Sequence, residues 1–166
     1  SLAAQTLRPS QLIAVIADLE SGPLMQEVAE RHGLACTLVL PDQGMDAPRA
    51  FASGLSAAVE HTPPEGLIAF SDQDDLWDDD KLSTAVDEMR RRSVDAYSGN
   101  VEAFWADGRS RLINKAQPQR QWDFLFEAAG PGCTYVLSKR LFRDLQSLVR
   151  ARQAEVEQVY LHDWLC

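Results

Sequence analysis

Short apolar runs of strand length, separated by segments of helical periodicity, leave this chain few folds to choose from. Residues 11–17 (QLIAVIA), 35–40 (ACTLVL) and 67–70 (LIAF) are rich in branched side chains, and polar residues or proline close each one. Between the first two, Leu24, Met25, Val28 and Ala29 form a helical stripe over residues 22–32 that Gly33 closes. Residues 48–60 read as a second helix with Pro48 in its first turn, and residues 62–66 turn into the third strand. Residues 81–92 place Leu82, Ala85, Val86 and Met89 on one helical face. Residues 94–105 read as extended, and Ala106-Asp107-Gly108 is a turn joining them to residues 111–113 as a hairpin. A further strand is expected over residues 133–137, with Ser138 as N-cap of the helix that follows. Strands alternating with helices predict an α/β fold, a mostly parallel sheet covered on both faces. In such sheets ligands sit at the carboxyl ends of the strands.

The chain has 166 residues and no repeat or long linker, so residues 1–166 are expected to form a single domain. Sixteen basic against twenty-five acidic residues give a net charge of -9, which argues against nucleic acid as a partner. A phosphorylated ligand stays open, because a divalent cation can bridge acidic side chains to phosphate oxygens. Cys36, Cys133 and Cys166 are an odd set without close pairing, and reduced thiols in a cytoplasmic protein are the simplest reading. No apolar run approaches the roughly 18 residues that would suggest a transmembrane helix, and no signal peptide is visible. The first residue is Ser, so residues upstream are expected to have been removed.

The third strand runs into Ser71-Asp72-Gln73-Asp74-Asp75-Leu76-Trp77-Asp78-Asp79-Asp80. Carboxylates this close repel one another unless a positive charge neutralises them. Mg²⁺ characteristically takes one or two carboxylates together with substrate phosphates, and such an ion stabilises charge on a departing diphosphate. An acidic stretch after a strand also serves as a solvated turn and helix start, favoured by the macrodipole. That reading suits Asp78, Asp79 and Asp80, assigned here to helix capping. It suits Asp72 and Asp74 less well, since Leu76 and Trp77 beside them want burial. A calcium loop is excluded, because its fifth ligand position would fall on Leu76 and its obligatory glycine on Trp77.

The string FSDQDDLW, followed by Lys81-Leu82, resembles the D-x-D region of family 2 glycosyltransferases, particularly the rhamnosyltransferase-like ones. The resemblance implies a GT-A fold, a Rossmann-like three-layer sandwich. It implies Asp74 as metal ligand for Mg²⁺ or Mn²⁺, Asp72 on the metal or the nucleotide sugar, and Asp75 in support; Trp77 and Lys81 would be structural. Residues 96–101 (AYSGNV) and 106–109 (ADGR) are similar to the strand and turn that follow in that family. Residues 130–136 (GPGCTYV) are similar to its acceptor-side glycine loop, which would make Gly132 a substrate-binding position; for Gly130 an ordinary turn is an equal reading. The closing His162-Asp163-Trp164 resembles an H-D-W motif whose aspartate is the catalytic base, so Asp163 would deprotonate the acceptor, with His162 on the substrate. Residues 1–6 (SLAAQT) are similar to the end of the family's first helix. Residues 46–55 resemble a segment placing an Arg near the diphosphate, which makes Arg49 a candidate, against its reading as a helix-surface residue.

Two departures qualify this. The family opens with a strand and turn that this chain lacks, and continues beyond H-D-W, so the resemblance implies an incomplete domain. The missing strand would come from a partner chain, a second copy included, or from an adjoining domain. Residues 17–21 (ADLES) stand where the family has D-D-G-S, and Asp18 keeps one carboxylate for the nucleotide. The leading expectation is a metal-dependent inverting glycosyltransferase. It would move a sugar, rhamnose first, from a nucleoside-diphosphate donor to a glycan or surface-polysaccharide acceptor, at the inner face of the membrane through other parts of the protein. The alternative is a degenerate, non-catalytic GT-A module used for binding or assembly.

Overall fold

The computed structural model describes residues 1–16, 19–40, 47–118, 120–152 and 155. A 3-10 turn, Leu2–Ala4, leads to strand β1 (Leu12–Val15), helix α1 (Ser21–Arg31), β2 (Cys36–Val39) and α2 (Ala47–His61). There follow β3 (Leu67–Ala69), α3 (Lys81–Arg92), β4 (Ala96–Tyr97), β5 (Val101–Phe104) and β6 (Ser110–Ile113). Two further 3-10 turns, Asp123–Leu125 and Gly132–Thr134, precede β7 (Val136–Ser138) and α4 (Lys139–Ala151).

The α/β character holds, but the strand pairing departs from a mostly parallel sheet. Among the described residues β1 and β2 pair in parallel, as two strands joined by a crossover helix should. The other pairings are antiparallel: β7 lies between β3 and β4, and β5 with β6 forms the expected hairpin. The late strand β7 makes this three-stranded sheet antiparallel throughout, because it enters between two strands made earlier and runs against both. It also starts later than its apolar run suggests. Gly132–Thr134 is wound into a 3-10 turn, in which the Thr134 hydroxyl donates to the Pro131 carbonyl at 2.7 Å.

Helices cover both faces of the β3–β7–β4 sheet, and alternation along the strands decides which. Ile68 and Leu137, opposite each other in register, point into a cluster with Leu55 and Ala58 of α2 and Phe142, Leu145 and Val149 of α4. Their neighbours Ala69 and Val136 point the other way, against Ala85 and Met89 of α3 and Tyr97 of β4. Ile13 of β1 packs on the first cluster, tying the parallel pair to the same core. Ser138 caps α4 as expected, its Oγ accepting from the Leu141 amide at 3.2 Å. The same hydroxyl donates to Asp95 at 2.7 Å, which holds the Asp95 carboxyl below its ordinary pKa with help from Arg140.

Helix α1 corrects the expected stripe. Gly22 and Ala29 are its buried residues, while Leu24, Met25 and Val28 are exposed. A Cβ on Gly22 would stand 3.0 Å from Ile16 Cδ1, so the helix seats its smallest residues on the sheet. The larger ones are left outside that contact. Gly33, with φ +65, ends this helix as the sequence suggests. No helix among the described residues is long and apolar enough to cross a membrane.

Candidate active site

The site is built where β3 runs out. The Phe70 amide still donates to the Tyr135 carbonyl at 3.0 Å, and the acidic segment then leaves the sheet and turns back into α3. Across from it stands the segment from Ala129 to Tyr135. Its shape is set by close contacts: the Tyr135 hydroxyl donates to the Gly130 carbonyl at 2.8 Å, and the Ser98 hydroxyl to the Ala129 carbonyl at 2.9 Å. A Cβ on Gly130, whose φ is +154, would lie 3.0 Å from Cβ and Oγ of Ser98. Glycine is therefore favoured here by its φ and by the close approach of the Ser98 side chain, just past β4. Gly132 is buried within the 3-10 turn beside it.

Between the two segments, one donor atom each from Asp72, Asp75 and Cys133 lies within 4.8 Å of the others. Asp72 is exposed, and Asp75 and Cys133 are half-buried. Oδ2 of Asp75 is buried without a hydrogen-bond partner among the described residues. A buried, unsatisfied carboxylate oxygen is costly, and a bound cation is one way to satisfy it. Two converging carboxylates suit a hard divalent ion. The thiol of Cys133 is a soft donor, held protonated: burial, its hydrogen bond to Asp75, and the charges of Asp75 and Asp72 push it up to about 12.

Lys81 closes the cluster from below. Its ammonium donates to the Cys133 carbonyl at 2.6 Å and sits 3.4 Å from the centroid of the Trp77 ring. Burial lowers its pKa to about 8, against the charges around Cys133, Asp75 and Asp72 that favour the protonated form. Lys81 thus ties the start of α3 to the Gly132–Thr134 turn and sets a positive charge beside Asp75 and Asp72. Trp77 is buried, whereas Leu76 is 73% exposed, so only one of the two apolar residues expected inside is there.

The expected site residues divide in three. Asp72, Asp75 and the Gly132 turn come together. Asp74 is exposed and stands outside the Asp72–Asp75–Cys133 cluster. Asp18, His162, Asp163 and Trp164 lie outside the described residues, as does the side chain of Arg49, whose backbone belongs to α2. Asp80 takes the N-cap position of α3, but its side chain makes no capping hydrogen bond. That cap comes from elsewhere, because Oε1 of Gln5 accepts from the Leu82 amide at 3.0 Å. Sequence reasoning missed Cys133 and Gln5; the one trace of them was their place in the two strings similar to the family's own.

The raised thiol pKa is directly measurable. In metal-free buffer at pH 8, a variant with Cys36 and Cys166 changed to serine should react with a disulfide reagent on the order of 10²–10³-fold more slowly than a free thiol. Asp75→Asn should recover part of that rate. Reaction at the free-thiol rate would mean that the thiol is not buried against Asp75.

Comparison with curated proteins shows the class this chain is similar to, a glycosyltransferase. No protein-family model matches it. The relative is the dTDP-rhamnosyl transferase RfbG of Shigella flexneri, 43% identical over 97 residues, or 58% of this chain. The matched region is 34% of the relative, so the chain spans about a third of the length of the curated protein it matches.

Proposed function

We propose that this chain is the donor-binding part of a GT-A glycosyltransferase, transferring a sugar from a nucleoside-diphosphate donor to a glycan acceptor with inversion. Rhamnose on a dTDP carrier is the first candidate donor, supported by the name of the curated relative. The observation that carries the reading is the convergence of Asp72 and Asp75 at the end of β3, with Oδ2 of Asp75 buried and without a hydrogen-bond partner among the described residues. Mg²⁺ or Mn²⁺ bound there would supply positive charge for the departing diphosphate. Asp72 and Asp75 would hold the ion by this geometry, and Asp74 by the resemblance. Lys81 keeps the acidic segment against the glycine turn, and that turn brings backbone close to where a sugar would lie. Arg49 and Asp18 are the candidates for the diphosphate and the nucleotide, His162 for the substrate. Asp163 would take the proton from the acceptor hydroxyl as its oxygen attacks the anomeric carbon.

One observation favours the alternative of a non-catalytic module. The Lys81 ammonium already offsets the charge of Asp75 and Asp72 in part, and the neutral Cys133 thiol donates a hydrogen bond to Asp75, as a site without metal would need. Calorimetric titration with a panel of nucleoside diphosphates, with and without Mn²⁺, separates the readings. Metal-dependent binding that is lost in Asp75→Ala or Asp74→Ala supports donor binding and tells which carboxylate matters. Silence from this chain, and again from a version extended at both ends, supports the module.

A further inference from the structure

The acidic segment is held at its far end by a residue distant in sequence. Gln5 is only 3% exposed, a rare degree of burial for an uncharged amide outside any regular element. Both ends of its side chain are used. Nε2 donates to the Asp78 carbonyl at 2.6 Å, inside the acidic segment, and Oε1 accepts from the Leu82 amide at 3.0 Å, in the first turn of α3. Thr6 continues the seam: its amide donates to the Asp79 carbonyl at 2.7 Å and its hydroxyl lies 2.9 Å from that of Ser83. The turn from Asp78 to Lys81 is therefore pinned from outside by residues 5 and 6. Lys81, which holds Cys133 and Trp77 in the cluster, is the first residue after that turn.

We infer that Gln5 is a positioning residue of the acidic site, setting through Asp78 and Leu82 where Lys81 and Asp75 meet Cys133. The inference rests on reading that segment as the donor site. Its physical content is simple. Without the Gln5 amide, the Asp78 carbonyl and the Leu82 amide, both beside buried residues, lose a partner that no side chain of the segment replaces. The turn then relaxes toward solvent, and the carboxylates lose their fixed separation.

Gln5→Met keeps the length and packing of the side chain and removes both hydrogen bonds. Three quantities are compared with the parent chain: amide exchange over residues 75–82 and over β7, the reaction rate of Cys133 in the background lacking Cys36 and Cys166, and the affinity for Mn²⁺ alone. The expected result is exchange faster by about tenfold in residues 75–82 with β7 unchanged, a faster Cys133 reaction, and Mn²⁺ binding weaker by about 10–100-fold. Equal acceleration of exchange in β7 would mean general destabilisation and overturn the inference, as would an unchanged Cys133 rate. Unchanged Mn²⁺ affinity despite a loosened segment would overturn it too. If the parent chain binds no Mn²⁺, the metal reading fails on its own, and exchange together with the Cys133 rate still decides the role of Gln5.

Discussion

Alanine at both Asp72 and Asp75 is expected to lower sugar transfer by about 10³-fold or more, in a protein long enough to carry out transfer, while the thermal midpoint stays near that of the parent. A metal that stabilises a leaving diphosphate contributes several kcal/mol to the transition state, and each 1.4 kcal/mol is tenfold in rate. The fold should tolerate the change, because Asp72 is exposed and Oδ2 of Asp75 is a buried acceptor with no hydrogen-bond partner among the described residues. Asp75→Asn is the gentler variant, keeping the shape beside Lys81 and removing only the charge. Steady-state transfer assays with added Mn²⁺ read the effect. Asp74→Ala belongs in the same series: full activity there with loss at Asp75 would assign the ligand set to the converging pair, and the reverse would assign it to Asp74. Full activity in all of these variants would end the metal-dependent reading.

Phe142→Ala should be the most damaging single truncation to stability, at about 3–5 kcal/mol. Phe142 is 2% exposed and sits among Leu55, Ile68, Leu137, Leu145 and Val149, where α2, α4 and the sheet meet. It also meets the Phe70 ring edge-on at 5.7 Å between centroids, and Phe70 meets Tyr135 at 6.1 Å in the same manner. The cost is a large part of the roughly 5–15 kcal/mol that holds a domain together. Urea unfolding should show the midpoint falling with the slope unchanged. A loss under about 1 kcal/mol would show that this cluster collapses around the cavity or is not the centre of the core. Because Phe70 directly precedes the acidic segment, the same variant should weaken Mn²⁺ binding as well.

Much of the element order was legible because its signals are local. Lys81–Arg92 coincides with the helix read from the spacing of Leu82, Ala85, Val86 and Met89, and those four are its buried residues. Gly33, Pro48 and Ser138 mark helix ends by their own backbone chemistry. Strand direction was not legible, since an apolar run such as Val136-Leu137 fits a sheet equally well in either sense. The burial of α1 was misjudged for a related reason: periodicity gives a stripe, but Gly22 and Ala29 let the helix approach the sheet on another face. In the site, the acidic string announced itself, while Cys133 did not, because nothing in its neighbours reveals which loop it will face. Gln5 is the same case with the sign reversed, an ordinary polar residue made buried by what lies across from it.

The central place of β7 also sets an order of assembly. Leu67 pairs with Ser138 and Ala96 with Leu137, so among the described residues neither β3 nor β4 has its strand neighbour until the chain has been made as far as residue 138. During synthesis both strands must wait, with Ile68 and Ala69 uncovered on one side, while the hairpin of β5 and β6 closes by itself. Contacts so distant in sequence make for slow folding and a long exposure of unpaired edges. A nascent chain stalled before Val136 would hold the acidic segment without the strand that anchors it, and would be a natural client for a chaperone that shields extended apolar segments.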